Sequence, residues 1–128
     1  MKPTSSEWVS SAEGHYETAC TLRRSRRRHL HDAICFHSEQ CVEKYLRARL
    51  RQAQVRFQKT DDLPKLLDPL RSIEPRWRSI EQELRGLSDA ALMVLYPGKS
   101  TRREDATKAY KVCTRLRALA RSSLGLKA

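Results

Sequence analysis

The chain has 128 residues, enough for one domain with one continuous core, and it contains only four glycines and five prolines. So few turn-forming residues argue against a sandwich or barrel of many short strands. The net charge of +11, from 26 Lys and Arg against 15 Asp and Glu, favours an acidic partner such as RNA, DNA, a nucleotide or an acidic protein, although a basic surface also serves solubility alone.

The first predicted helix begins near Glu7, where Ser5 and Ser6 offer capping hydroxyl groups. Its inner face is marked by residues that recur at spacings of three and four: Trp8, Ala12, Tyr16, Ala19 and Arg23. His15 lies off this face, so we expect it to be exposed. The pattern predicts an amphipathic helix that ends near Arg23.

A dense basic segment follows this helix. Residues 23–31 read Arg-Arg-Ser-Arg-Arg-Arg-His-Leu-His, and repulsion between the arginines predicts that the helix frays into a loop here. Clustered arginines also suit phosphate groups, which makes this segment a candidate RNA or nucleotide contact. The candidate arginines are Arg23, Arg24, Arg26, Arg27 and Arg28. A solvated, flexible loop explains the same composition.

The second helix is predicted from about Asp32 to about Gln54. One apolar stripe runs along it at Ile34, His37, Cys41, Tyr45 and Ala48. Because His37 lies on this stripe, it is expected to be a hydrogen-bonded histidine of the core or of an interface. Glu43 and Arg47 are expected mostly on the solvent side.

Two further helices are predicted in the middle of the chain. Thr60-Asp61-Asp62 marks the start of a short amphipathic helix that includes Leu63 and Leu70. Pro75 opens a long helix whose apolar repeat reaches Val94, and Pro97-Gly98 ends it. Trp8 and Trp77 are expected in the core, with base stacking as the alternative.

The last helix begins at a predicted capping box formed by Thr101 and Glu104. Its apolar face continues to Leu124, and Gly125 ends it. Together the elements predict an all-α fold, an antiparallel up-and-down bundle of four long helices plus one short helix, with residues 1–128 as a single domain.

The four cysteines, Cys20, Cys35, Cys41 and Cys113, lack the spacing of a zinc or redox motif. We expect them to be reduced and to lie in or near the core, which suits the cytoplasm. The sequence predicts no metal site and no cofactor, because ligand pairs and a phosphate-binding glycine loop are missing. The longest apolar run, residues 90–96, is far shorter than the ~20 residues of a membrane span, and the first residues lack the apolar region of a signal peptide.

Three strings resemble a known family. Helix 2 contains Phe36-His37, then Gln40, then Glu43-Lys44 and a small residue, and the connection after it reads Thr60-Asp61-Asp62-Leu63. Leu95-Tyr96-Pro97-Gly98 then precedes the last helix. In order and separation these strings resemble the HEPN domain, a bacterial and archaeal module tied to nucleotide and RNA chemistry, over about residues 8 to 124.

The resemblance implies a bundle of four or five helices that pairs as a homodimer. It also implies association with a small nucleotidyltransferase, in a pair that looks like a toxin and its antitoxin. Beyond the basic segment, the candidate nucleotide or RNA contacts are His37, Gln40, Lys44, Tyr96, Arg102 and Arg103.

Each of these further candidates has a plainer interpretation. Pairing on the helix surface explains Gln40, Glu43 and Lys44 as well as a pocket does. Packing at the helix end is the leading interpretation of Tyr96, before a polar contact in a ligand groove or a modification target. These alternatives stay open from the sequence.

Other branches of the family are metal-independent ribonucleases, which carry Arg, four to six residues and then His at the start of the final helix. In this chain no His lies between Tyr96 and Tyr110, and Leu95 occupies the position where the resemblance implies Arg. A binding module is therefore the leading prediction. The alternatives are a toxin-type endoribonuclease whose catalytic candidates are Arg24, Arg26, His29 and His31, and a plain helical dimerisation protein.

Overall fold

The computed structural model describes residues 2–25, 27–96 and 98–128, without the side chain of Arg28. Its α-helices are α1 (Ser5–Ser25), α2 (His31–Gln52), α3 (Leu63–Leu67), α4 (Glu81–Val94) and α5 (Arg103–Ser123). Short 3₁₀-helices cover Arg28–Leu30, Asp68–Leu70 and Pro75–Ile80, and no residue in the described part forms a strand. The predicted all-α fold of four long helices and one short helix is confirmed.

Helix α2 lies at the centre of the bundle and packs against α1, α4 and α5. Helix α1 runs antiparallel to α2, because the Ser5 hydroxyl near the start of α1 donates to the Ala48 carbonyl near the end of α2. Helix α5 runs parallel to α2, since the Gln52 side chain at the end of α2 donates to the Leu124 carbonyl just after α5. Helix α4 runs antiparallel to α5, because Arg115 in the second half of α5 pairs with Glu83 in the first turn of α4. Consecutive long helices are therefore antiparallel, as predicted for an up-and-down bundle.

Buried side chains from each of the five helices form one core. Trp77 is 1% exposed and lies in this core, as predicted, whereas Trp8 is only half-buried against its edge. The largest side chains that are fully buried are Trp77, Tyr45, Leu50, Leu63, Leu66, Leu67, Leu70 and Leu84.

Both predicted helix caps are shifted along the chain. At α1, Thr4 rather than Ser5 or Ser6 forms the reciprocal box, because its hydroxyl accepts from the Glu7 N–H and the Glu7 carboxylate accepts from the Thr4 N–H. At α5, the Asp105 carboxylate accepts from the Arg102 N–H, one residue beyond the predicted pair of Thr101 and Glu104. Helix α1 therefore begins with a reciprocal box at Thr4, and α5 begins with a single bond from the Arg102 N–H, in each case at a different residue from the one predicted.

The segment that opens with Pro75 starts as a 3₁₀-helix and becomes α-helical only at Glu81. Burial explains this departure from the predicted continuous α-helix. Glu74, Trp77 and Ile80 are 8%, 1% and 3% exposed, and a strict spacing of three residues places them on one face of a 3₁₀-helix.

A glycine with a left-handed backbone conformation follows each of the helices α4 and α5. Gly98 has φ of +82° and Gly125 has φ of +78°, a conformation that costs glycine nothing because it has no Cβ. After α5, the N–H groups of Gly125 and Leu126 satisfy the carbonyls of Ser122 and Arg121. Pro97, the other predicted breaker, lies outside the described residues.

The central position of α2 also corrects the prediction for Glu43. This carboxylate was expected in solvent, but Glu43 is 5% exposed. Lys44 and Arg47 neutralise it at 2.9 and 3.4 Å. Helix α2 has partners on three sides, so a single apolar stripe underestimates how much of it is buried.

The cysteines are free thiols in the described structure, as predicted. Cys35, Cys41 and Cys113 are buried, and Cys20 is half-buried. Burial raises the pKa of Cys35 to about 11, so this thiol stays protonated near neutral pH.

Across the three described stretches, no helix combines the length and apolar character that a membrane-spanning segment needs.

Candidate functional site

The starts of α2 and α5 meet at one end of the bundle. The N–H and the hydroxyl of Thr101 both donate to the Asp32 carboxylate, each over 2.7 Å. Thr101 is 6% exposed, so these bonds are shielded from water. They hold the connection between α1 and α2 beside the connection between α4 and α5. Asp32 and Thr101 are 69 residues apart in sequence.

Basic side chains from both connections gather at this end, which we call the basic end. Arg24, Arg27 and Arg103 are exposed, and no carboxylate in the described part of the chain lies within ion-pair distance of them. Arg102 is the exception, because its Nε lies 3.9 Å from both Glu104 and Asp105. The described members of the basic end are Arg23, Arg24, Arg27, His29, His31, Lys99, Arg102 and Arg103.

Helix α1 runs to Ser25 and therefore includes Arg23 and Arg24, beyond the predicted fraying point. His29 is exposed within the following 3₁₀-helix, and His31 is half-buried at the start of α2. The predicted candidates Arg26 and the side chain of Arg28 lie outside the described residues. The candidate catalytic role of Arg26 therefore stays a prediction.

Arg23 is held by an aromatic column between α1 and α5. Its guanidinium lies 4.6 Å from the ring centre of Tyr110, which stacks at 6.2 Å and 9° on Tyr16. The Arg117 guanidinium lies 4.4 Å from the ring centre of Tyr16. Each ring of this column already contacts a guanidinium and the other ring, so we interpret the column as a structural link between the helices rather than a platform for a base.

His37 lies away from the basic end, against α1. Its Nδ1 lies 2.9 Å from Nδ1 of His15, so one ring donates an N–H and the other accepts. Burial lowers the pKa of both imidazoles, and the His37 charge lowers that of His15 further. The prediction that His15 is exposed is wrong, because the crossing of α1 over α2 brings it under His37.

Gln40 and Lys44 also lie apart from the basic end and point to different neighbours. Gln40 lines a cavity of about 160 Å³ between α2 and α4 and donates to the Glu39 carboxylate over 2.9 Å. Lys44 pairs with Glu43 and lies 5.6 Å from the ring centre of Trp8 on α1. The two candidates that neighbour each other in the helix therefore do not share one site.

Glu39 was not singled out in the sequence, yet it is the buried titratable group of this cavity. It is 3% exposed. Burial, and then the negative charge of Glu43, raise the pKa of its carboxyl from 4.5 to about 7. Only its position between two packed helices gives it this property.

Tyr96 is 59% exposed and Leu95 is 65% exposed, so the interpretation of Tyr96 as a packing residue is wrong. The Nζ of Lys99 lies 5.9 Å from the ring centre of Tyr96. The exposed ring is left available beside the basic end, on the connection that Thr101 anchors.

This arrangement can bind phosphate groups, because several arginines project into solvent without carboxylate partners. Its acid–base groups are His29 and His31 rather than a histidine at the start of α5. Within residues 2–25, 27–96 and 98–128, no group of three or more His, Cys, Asp or Glu side chains is placed to hold a metal ion.

Comparison with known proteins gives one match. The model of the HEPN domain family matches residues 5–123, from the first residue of α1 to the last residue of α5. The chain has no significant match among curated proteins or among solved structures.

Proposed function

Because this chain belongs to the HEPN domain family, we propose that it is a binding module that contacts RNA or a nucleotide through its basic end. In this proposal it forms a homodimer and partners a small nucleotidyltransferase, as in a toxin–antitoxin pair. Its free thiols suit a reducing compartment such as the cytoplasm.

The observation that carries this proposal is that exposed arginines from the end of α1, from the connection after it and from the start of α5 lie at one end of the bundle. Arg24, Arg27 and Arg103 have no described carboxylate partner, so they can exchange counterions for phosphates at little electrostatic cost. Tyr96 is exposed on the connection between α4 and α5, beside the basic end, and its ring is a surface on which a base can stack.

RNA binding across a range of salt concentrations tests the proposal. The triple variant Arg24→Ala, Arg27→Ala, Arg103→Ala is expected to weaken binding and to reduce the slope of log K against log salt by roughly 0.7 for each lost phosphate contact. Fluorescence anisotropy with a labelled single-stranded RNA measures both quantities.

The matched control removes three exposed arginines from the opposite end of the bundle: Arg51, Arg56 and Arg76. It has the same net charge as the test variant, so it separates a located contact from a general charge effect. Equal loss of affinity and slope in both triple variants contradicts a binding site at the basic end.

The partner and the dimer are tested on the protein from its native host. Affinity purification followed by mass spectrometry is expected to recover a small nucleotidyltransferase, and sedimentation of the purified chain is expected to show twice the monomer mass of 14.9 kDa. Recovery without any nucleotidyltransferase contradicts the partner, and a monomer at micromolar concentration contradicts the dimer.

A ribonuclease is the second candidate function, because His29 and His31 lie within the basic end. A histidine there can move a proton while a neighbouring arginine stabilises charge on the phosphate. Incubation with cellular RNA in excess EDTA, beside the double variant His29→Ala, His31→Ala, distinguishes the two. Cleavage that the variant loses replaces the binding module by a metal-independent ribonuclease, and intact RNA supports the binding module.

A plain dimerisation protein is the remaining alternative from the sequence. It predicts that RNA binding is weak and that the salt dependence is shallow, since few phosphate contacts release few counterions. The same titration therefore tests it.

A further inference from the structure

The cavity between α2 and α4 holds a carboxyl group with unused hydrogen-bonding capacity. Glu39 lines this cavity and is 3% exposed. Its Oε1 accepts a hydrogen bond from Gln40, whereas no donor in the described part of the chain reaches its Oε2. Oε2 is therefore free to accept a hydrogen bond from a ligand that enters the cavity.

The other charges around the cavity leave it negative in a chain of net charge +11. Asp61 also lines the cavity, and no described cation lies within ion-pair distance of its carboxylate. The one cation in the lining, Arg85, is bound to Asp62 over 3.2 Å. A cation is therefore the charge that this cavity attracts.

The walls of the cavity are apolar and open to solvent. Phe36, Leu92 and Leu95 line it, although they are 36%, 47% and 65% exposed. The volume of about 160 Å³ is close to that of a cavity of about 150 Å³ that accommodates one benzene ring. The occupant is thus small, cationic at one end and aliphatic or planar over the rest.

We propose that this cavity binds a guanidinium group carried on a short aliphatic stem. The planar fork donates to Glu39 Oε2 and to Asp61, the stem covers Leu92 and Leu95, and the Phe36 ring faces the cation. Guanidinium is more weakly hydrated than ammonium, so it enters an apolar cavity at lower desolvation cost. A free alkylguanidine and an arginine side chain of a partner protein share this chemistry.

Binding of such a cation is coupled to the proton on Glu39. The pKa of this carboxyl is about 7, so near neutral pH a large fraction of the molecules carry a proton on Glu39. That proton must leave before the ion pair forms. The charged groups around Glu39 are Glu43 and Lys44 on α2, Asp61 and Asp62 on the connection before α3, and Arg85 across the cavity on α4. Affinity is therefore expected to rise as the pH increases from about 6 to about 8.

Isothermal titration with n-butylguanidinium tests the proposal on the full chain. Glu39→Gln is expected to weaken binding by at least about tenfold at about pH 8 and to remove its pH dependence, because the charge-assisted hydrogen bond is lost. The isosteric amide keeps the shape of the side chain. The matched control Asp89→Asn removes an exposed carboxylate of α4 that does not line the cavity, and its affinity is expected to stay within about twofold.

Two further ligands test the preference for a planar group and the source of the ligand. Binding of n-butylammonium as tight as that of n-butylguanidinium overturns the preference for the planar fork, and an unchanged affinity in Glu39→Gln overturns the site. N-acetyl-arginine amide identifies the source: tighter binding than the free alkylguanidine indicates a partner arginine, and weaker binding indicates a small cation. Because none of these ligands carries a phosphate, failure here leaves RNA binding at the basic end untouched.

Discussion

Folding shifts the protonation equilibrium of the Glu39 carboxyl, and this shift makes stability depend on pH. Its pKa is raised from 4.5 to about 7, so the folded state holds a proton that the unfolded chain releases. The neutral carboxyl therefore stabilises the fold below about pH 4.5, and this stability is lost as the pH rises towards about 7.

The first prediction follows from this linkage. Glu39→Gln is expected to raise the free energy of unfolding at about pH 8 by up to about 3 kcal/mol, because a buried charge is replaced by a neutral amide. Urea denaturation at about pH 5 and about pH 8 measures the change. Asp89→Asn, which alters an exposed carboxylate, is the control, and equal effects of the two variants at about pH 8 contradict the prediction.

The histidine pair responds to pH in the opposite direction. One N–H joins Nδ1 of His15 to Nδ1 of His37, and protonation of the accepting Nδ1 would break this bond. The nearby charges are Lys44, which lowers the pKa of His15, and Glu43, which raises it. Because the folded pKa values are lowered, the stability from the neutral pair is present above about pH 6.5 and is lost as the pH falls.

The second prediction is that wild type loses stability relative to the double variant His15→Gln, His37→Gln as the pH is lowered from about 7.5 to about 5.5. The difference between the two proteins is the measured quantity, since Glu39 acts in the opposite direction over this range. Urea denaturation at both pH values gives it. A constant difference, or the same trend in the exposed control His29→Gln, shows that the pair does not titrate as proposed.

Neither Glu39 nor the histidine pair could be predicted from the sequence. His15 and His37 are 22 residues apart and lie on different helices. Periodicity indicates which face of a helix is apolar, but it does not indicate which residues of the neighbouring helix contact that face. The same limit hid the cavity, because its lining comes from α2, α4 and the segment before α3.

At the scale of elements, Glu13 joins α1 to α5. Its carboxylate accepts two hydrogen bonds from Arg117, each over 2.7 Å, and a further short one from the Tyr45 hydroxyl on α2. The Arg117 bonds are the main reason that the pKa of Glu13 is lowered. Three helices therefore converge on one carboxylate that is about one-third exposed.

The third prediction is that Glu13→Gln lowers the free energy of unfolding by about 1–2 kcal/mol, a moderate value because solvent screens part of the interaction. The amide cannot accept both Arg117 bonds with the strength of a carboxylate. Chemical denaturation at neutral pH measures the loss, with the exposed Glu17→Gln of the same helix as control. Equal losses would show that Glu13 acts only through helix-surface charge.

The elements themselves were predictable, but their first residues were not. Apolar spacing and the Pro and Gly breakers placed every helix, because those signals are local. Thr101 could not be assigned from sequence, since a hydroxyl suited to cap α5 instead bonds Asp32 across the bundle. The residue that caps a helix depends on which polar partners the tertiary fold brings near, and local sequence does not contain this information.

At the scale of the whole molecule, one core includes helices α1 and α4, which each pack mainly on α2 rather than on each other. Helices α1 and α4 both pack on α2, and the core includes Ala12 from α1 and Leu84 from α4. Trp8 reports on the α1 side and Trp77 on the α4 side, which makes the cooperativity of the bundle measurable.

The fourth prediction is that the chain unfolds as one unit. The single-tryptophan variants Trp8→Phe and Trp77→Phe are each expected to show the same urea midpoint by fluorescence as by far-ultraviolet circular dichroism. Separate midpoints within one variant would show that α1 or α4 leaves the bundle first. Different midpoints between the variants alone reflect only their different stabilities.

Composition was sufficient for the fold class, since few glycines and prolines and a sustained helical period leave little besides a helical bundle. The basic end was predictable only in part. The sequence locates the arginines of residues 23–31, but their meeting with Arg102 and Arg103 depends on the bond between Asp32 and Thr101.

The central position of α2 has a consequence for how such a chain tolerates insertions and deletions. One extra residue inside α2 rotates everything beyond it by about 100° around the helix axis, and this misaligns its contacts with three neighbours at once. The same insertion in the exposed connection around Lys99 and Ser100 leaves those contacts in place. Length variation is therefore expected to collect in the connections, with α2 as the segment of fixed length against which the other helices are aligned.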